Sequence, residues 1–306
     1  MFVSALNASY PNIKTSASYA HDGLMQKPGE YNDWHMYGTP DNFAAAYTQF
    51  SNFTGTSTVN PTMIGEFAVV GNNAPMGVNW SALNEHPTWI GSVGEAVFLL
   101  GAENNADTIF GASYAPTLKN VNSYQWGPDM IEFQADTGQT VLSTSWYTVK
   151  LLSETRFTQS RAVSASLPPG PVYWAAGINE DTGSNIIKFA TYNTTSGATV
   201  PMAVTFPSIG RGAKANLTVL IGTDPMAFST VGNDVVEATT VQLVAGKDGV
   251  FTFGLPDLAV AVLATIPKGY QGTSGLDTKF AGFGGYGGCK NGKAKARMVG
   301  GSGNGC

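Results

Sequence analysis

Residues 60–71 read NPTMIGEFAVVG, a short apolar run that carries one carboxylate, Glu66, near its end. Acids in apolar runs are rare unless they are paired or used. The run has strand length. It is followed by a helical pattern opening at Pro87, in which Trp89, Val93, Ala96, Val97 and Leu100 fall on one face. The same order recurs on both sides. Upstream, "SALNASYPNI" reads as the end of a helix closed by Pro11, and "IKTSASYA" and "DWHMYG" read as strands. "TPDNFAAAYTQFSNF" then starts a helix at Pro40 and Asp41, with Phe43, Ala46, Tyr47 and Phe50 at helical spacing. Downstream come "TIFGASYA" and "LKNVNSYQW", then a helical "TVLSTSWYTVKLLSETRF". Strands alternating with helices predict βαβ units and a parallel sheet.

The pattern changes after "SASLPPGP". From Val172 seven short β-branched runs follow: "VYWAAGI", "NIIKFATY", "TVPMAVTF", "NLTVLIG", "TTVQLVAG", "GVFTFGL" and "LAVAVLATI". Asp181-Thr-Gly183 and Lys247-Asp-Gly249 mark turns between them. Strands at this spacing, without helices, predict an antiparallel β-sandwich. From about Lys268 the chain is glycine-rich and mildly basic, a composition expected to stay disordered. The expected units are therefore an α/β unit over 1–160, a sandwich over 161–267 and a tail over 268–306. The only two cysteines, Cys289 and Cys306, both lie in the tail, which excludes a disulfide framework for the body.

The 306 residues suffice for two ordinary domains and a sizeable core. Charged residues make up only 12%, with 37 Gly and 12 Tyr, which fits a secreted, carbohydrate-facing protein. A net charge of -5 argues against nucleic acid, which needs a basic face. No apolar run reaches the roughly 18–20 residues of a membrane helix. Sequons at Asn7, Asn52, Asn79, Asn193 and Asn216 lean toward glycosylation and an extracellular location. The start, "MFVSALNASYPNIK", lacks the basic region of a signal peptide, so a longer protein is expected.

In parallel α/β barrels, chemistry sits at the C-terminal ends of strands. Those ends offer His35 and Tyr37, then Glu66, then Asn120, Asn122, Gln125 and Trp126. A carboxylate attacks or protonates a glycoside, amides and hydroxyls bind ring hydroxyls, and aromatics stack on sugar faces. Each residue has a plainer reading. His35 could be structural, Glu66 an ion-pair partner, and Asn122 a turn cap. Three histidines and no cysteine in the body argue against a zinc site. No Walker A, dinucleotide or nucleophile-elbow motif is present, so no cofactor is expected.

The stretches "NDWHMYGTPDNFAAAYTQFSNF", "TMIGEFAV" and "GSVGEAVFLLGAENNADTIFGASYAPTLKNVNSYQWGPDMIEF" closely resemble the α-L-arabinofuranosidases of glycoside hydrolase family 51, in its eukaryotic branch. "PVYWAAGINEDTGSNIIKFATYN" looks like that family's C-terminal domain. The resemblance spans about residues 1–266. It implies a (β/α)8 barrel joined to a jelly-roll sandwich, and release of terminal α-L-arabinofuranose from arabinan or arabinoxylan with retention. By the same resemblance Glu66 is the nucleophile on strand seven. His35 and Tyr37 are the His-x-Tyr of strand six, and Asn122, Gln125 and Trp126 belong to the strand-eight region. Trp34 departs from the expected residue without disturbing the His-x-Tyr spacing.

A retaining enzyme needs a second carboxyl group as acid/base, which in this family is a glutamate after an asparagine on strand four. No Asn-Glu precedes "DWHMYG"; Asn84-Glu85 and Asn179-Glu180 both follow Glu66. The resemblance thus implies the C-terminal half of a barrel, strands five to eight, without the acid/base. Two other readings stay open: an inactive fragment that binds arabinose polymers, and another retaining glycosidase such as a xylosidase or endoglucanase.

Overall fold

The computed structural model describes residues 2–18, 31–52, 61–194 and 197–267. The tail expected at 268–306, with Cys289 and Cys306, lies outside the described residues. The first part runs α1 (Phe2–Ser9), β1 (Ser16–Ser18), β2 (Tyr31–Gly38), α2 (Pro40–Ala45), a 3₁₀ segment (Ala46–Asn52), β3 (Thr62–Val69), α3 (Trp89–Glu103) and β4 (Ile109–Tyr114). Strands β1, β2, β3 and β4 lie side by side in that order, and every pair is parallel. Thr39 caps α2 in a reciprocal capping box with Asn42. The helix expected to continue tightens into the 3₁₀ segment, where Thr48, Ser51 and Asn52 are weak helix formers.

Next come β5 (Leu118–Asn120), β6 (Ile131–Phe133), β7 (Val141–Leu142) and α4 (Thr144–Glu154). The three strands form a small sheet of their own. Residues 120–126, expected at a strand end of the parallel sheet, instead leave this small sheet. The chain leaves the parallel sheet just after Ala115, whose N–H still donates to the Phe67 carbonyl; Pro116 follows there, a residue rarely found inside a paired strand.

The second part holds β8 (Gln159–Ser160), β9 (Val172–Asn179), β10 (Ser184–Thr191), β11 (Thr199–Val204), β12 (Lys214–Gly222), β13 (Val236–Val244), β14 (Phe251–Pro256) and β15 (Ala259–Ile266). Six of these make one antiparallel sheet in the order β13-β12-β15-β10-β9-β8, and β11 pairs with β14. All seven strands read from the sequence are present. Alternation along β10 divides the packing. Ile187 and Phe189 face Phe251 and Leu255 in the sandwich core, while Ile186 and Ala190 face the helices. The six-stranded sheet is thus covered on both faces.

Helix α3 is apolar nearly all round and is buried on nearly all sides. The face read from the sequence, Trp89, Val93, Ala96, Val97 and Leu100, packs on the six-stranded sheet. Phe98 and Ala102 point the other way, into a second core with Phe43, Phe50, Ile64 and Phe67. At Gly101 a Cβ would overlap the Tyr47 carbonyl, so only glycine lets the 3₁₀ segment lie on the helix backbone. Polar ties cross the same seam. Trp89 donates to the Leu258 carbonyl at 2.7 Å, and buried Lys188 donates to Glu103 at 2.6 Å and to the Leu152 carbonyl at 2.7 Å. Among the described residues no helix is long and apolar enough to cross a membrane.

Glu95 is the fully buried acid of α3. Val70 donates to Gly38 of β2 at 2.9 Å, so the N–H of Val69 points the opposite way, beyond the end of β4. Glu95 Oε1 accepts it at 2.8 Å, and Oε2 accepts from Ser145 at 2.6 Å. Ser92 extends the network to Thr144 at 2.7 Å and Ser145 at 2.9 Å. Burial pushes the Glu95 pKa from 4.5 up to about 7, although the Ser145 and Val69 bonds pull it down.

This gives a signed prediction. The unfolded carboxyl loses its proton near 4.5 and the folded one near 7, so stability falls as pH rises through that window and levels off above it. Glu95→Gln cannot ionise and keeps both partners. Relative to the parent it gains on the order of a few kcal/mol between the acid and neutral ends. Urea unfolding at several pH values reads this. Glu95→Ala leaves the Val69 N–H without its acceptor and loses about 1–3 kcal/mol at the acid end, a loss that shrinks as pH rises because the parent itself weakens.

Candidate active site

The site is set by an irregularity between β2 and β3. Trp34 pairs with Ile64, but His35 pairs with Glu66, so Gly65 is an extra residue in β3. Such a bulge bends a strand and re-aims its side chains. Glu66, expected at the end of the strand, therefore lies within it, with Phe67, Ala68 and Val69 still to come. Glycine is required at the bulge because a Cβ at position 65 would overlap the Asp33 carboxylate. Asp33, His35 and Tyr37 alternate along β2 and so share a face.

Four side chains meet there. Tyr37 Oη donates to Glu66 Oε2 at 2.5 Å. His35 Nδ1 lies 3.3 Å from the same oxygen, and its Nε2 lies 3.1 Å from Asp33 Oδ2. The imidazole can donate to both carboxylates only when both nitrogens carry protons. Glu66 is not the buried acid that its apolar run suggested: its side chain is 43% exposed, so a ligand can reach it. Burial holds the Tyr37 hydroxyl well above its ordinary pKa, and the adjacent Glu66 carboxylate raises it further. Tyr37 is thus a fixed proton donor to Glu66. Both contacts fall on Oε2, which leaves Oε1 to face a bound group.

The remaining expected residues divide. Trp126 comes to the site, edge-on to Tyr37 with ring centroids 5.5 Å apart, and its indole N–H is buried without a protein acceptor. Asn122 turns to Asn120 instead, its backbone N–H donating to Asn120 Oδ1 at 3.0 Å, which is the turn-cap role. Gln125 is exposed. Asp33 was not singled out from the sequence; the period-two spacing of Asp33, His35 and Tyr37 was the available signal. Among the described residues no cluster of three or more His, Cys, Asp or Glu could hold a metal ion. Of the sequon asparagines, Asn7, Asn79 and Asn193 are exposed, Asn52 closes the 3₁₀ segment, and Asn216 sits inside β12 with strands on both sides.

Residues 65–259, from the bulge to β15, match the family described as alpha-L-arabinofuranosidase C-terminal domain. The chain belongs to this family. It is 34% identical over 268 residues to alpha-L-arabinofuranosidase A of Aspergillus niger, a match covering 86% of the chain and 38% of that relative. The Aspergillus kawachii enzyme of the same name matches to the same extent. The chain thus spans about two fifths of the length of these relatives. Among solved structures, the arabinose-bound α-L-arabinofuranosidase MgGH51 superposes with a TM-score of 0.74 at 27% identity, over 87% of this chain and 42% of the other. An arabinose complex of the Thermotoga maritima α-L-arabinofuranosidase shares the fold, with a TM-score of 0.65 at 15% identity, over 86% of this chain and 60% of the other.

The bulge can be tested by a double-mutant cycle. Gly65→Ala forces the Asp33 carboxylate aside and costs about 1–3 kcal/mol of stability. In Asp33→Ala the space is empty, so the double variant loses clearly less than the sum of the single losses. Urea unfolding of the four proteins gives the coupling.

Proposed function

We propose that this chain carries the nucleophile half of a retaining α-L-arabinofuranosidase, with its parallel strands β1–β4 corresponding to strands five to eight of a (β/α)8 barrel and its antiparallel part to a jelly-roll sandwich. The observation that carries the reading is the 2.5 Å bond from Tyr37 to Glu66 Oε2, with His35 on the same oxygen. That arrangement fixes one carboxylate oxygen and presents the other. Family membership supports an arabinose-containing glycan as substrate, which we read as terminal α-L-arabinofuranosyl groups on neutral plant polysaccharides.

In this reading Glu66 Oε1 attacks the anomeric carbon as the bond to the leaving oxygen breaks, giving an arabinosyl ester on Glu66. The leaving oxygen takes a proton from an acid group; water then attacks the anomeric carbon, the bond to Glu66 breaks and frees its carboxylate, and the water's proton returns to that group. Tyr37 holds the nucleophile's orientation through both steps, and Trp126 closes the wall behind Tyr37. We assign the acid/base to the part of the relatives' length that lies outside the match. General acid catalysis is worth about 10²–10⁴-fold, so the chain by itself should act mainly on glycosides whose leaving group needs no proton. Exposed Asn7, Asn79 and Asn193 support a secreted glycoprotein; Asn216, within its sheet, is the poorest acceptor.

The test is hydrolysis of an aryl α-L-arabinofuranoside, beside aryl xyloside and glucoside. Arabinoside turnover that vanishes in Glu66→Gln and falls about ten- to a hundredfold in Tyr37→Phe is expected, since a charge-assisted bond is worth about 1.5–3 kcal/mol. Turnover that survives Glu66→Gln, or that prefers the xyloside or glucoside, overturns the reading.

A further inference from the structure

Lys119, Asp129 and Glu132 form a buried charge cluster outside the Glu66 site, and His86 joins it. Lys119 Nζ lies 3.2 Å from Glu132 Oε1, 3.3 Å from Asp129 Oδ1 and 3.1 Å from the Glu85 carbonyl. Burying a lysine with two acids is costly in desolvation, and its best-attested use is to fix geometry. Its position shows what is fixed. The ammonium sits 4.3 Å from the centroid of the Tyr124 ring, and Tyr124 Oη donates to Glu85 Oε1 at 3.1 Å. Gly127 packs its backbone on the Glu85 carbonyl and closes the same turn; a Cβ there would lie 3.0 Å from that oxygen.

Tyr124 is therefore held at its hydroxyl and on one face, yet it is 48% exposed. Its free face is a rigid aromatic surface in water. An aromatic ring that loses no rotamer freedom on binding is a good stacking partner. Tyr124 is two residues from Trp126, which packs on Tyr37, which holds Glu66. At most about 7 Å of chain separates the Tyr124 and Trp126 backbones.

We propose that Tyr124 is a stacking platform for a neutral pentose ring of the polysaccharide, beyond the arabinosyl group that Glu66 would attack. This deepens the glycosidase reading and rests on it for the identity of the ligand. Neutral sugar is favoured over acidic sugar because the Glu85 carboxylate borders the ring while the Lys119 charge is buried and already paired.

The experiment measures binding rather than turnover. Calorimetry with linear xylo-oligosaccharide and linear α-1,5-arabino-oligosaccharide, in a Glu66→Gln background, separates the two neutral backbones; oligogalacturonate is the acidic control. Tyr124→Ala should weaken binding of one or both neutral probes by roughly two- to tenfold, and Tyr124→Phe should stay within about twofold. Tyr124→Leu keeps apolar cover over Lys119 without an aromatic face, and should lose as much as alanine does. Unchanged affinity in Tyr124→Leu, absence of binding by the parent, or equal binding of the acidic probe overturns the proposal. Failure of the parent to turn over the aryl arabinoside would instead strike the Glu66 reading, which the binding measurement does not test.

Discussion

Helix α3 turns almost no face to water, and that constraint organises the rest of the chain. A parallel sheet and an antiparallel sheet each need an apolar partner. Here one helix serves both, with Trp89, Val93 and Val97 on the sandwich side and Phe98 and Ala102 on the other. The two parts are consequently not beads on a linker. The Trp89, Tyr47 and Lys188 bonds cross the seam at buried points, so neither part can shift without exposing apolar surface and stranding polar groups.

The helix also reaches the chemistry. Through Glu95 it holds the N–H of Val69, three residues beyond Glu66 on the same strand. The two glutamates show how environment divides one residue type into two tasks. Glu95 is sealed among a backbone N–H and serine hydroxyls, and burial pushes it toward the neutral form. Glu66 is half exposed, with a phenol and an imidazole aimed at one of its oxygens. The first suits holding a strand, the second meeting a ligand.

Much of this architecture was legible in the sequence, because local composition and spacing carry it. The seven strands of the second part follow from β-branched runs set off by turn residues, the packing face of α3 from spacings of three and four, and His35 and Tyr37 from their place near a strand end. What was not legible depends on neighbours distant in sequence. At the bulge, Gly65 leaves room for the Asp33 carboxylate of another strand, which fills the space a side chain would take. Glu95 looks like an ordinary helix acid until α4 and β3 close over it. The small sheet of β5, β6 and β7 begins just after Pro116, and its pairing joins segments that the local pattern does not link. The Tyr124 platform needs Lys119 beneath it, and a lysine in a strand reads as solvent-facing.

The geometry around Glu66 also bears on where a second carboxyl could stand. Asp33 is the acid brought nearest through the ring of His35, and it is a poor candidate for acid/base. One of its oxygens is engaged by His35 Nε2, and the imidazole lies between it and Glu66. A proton on Asp33 would weaken its hold on His35, and so disturb the proposed nucleophile Glu66. An acid that protonates a leaving group has to alternate between protonation states without moving Glu66. Under the proposed reading, that task falls to a group mechanically separate from the Asp33–His35–Glu66 line. Among the described residues β1 and β4 are the outer strands of the parallel sheet, and an outer strand can take a further neighbour. Separating the alternating acid from the fixed nucleophile is what a barrel, with its side chains converging from different strands, does better than any single pair of neighbours.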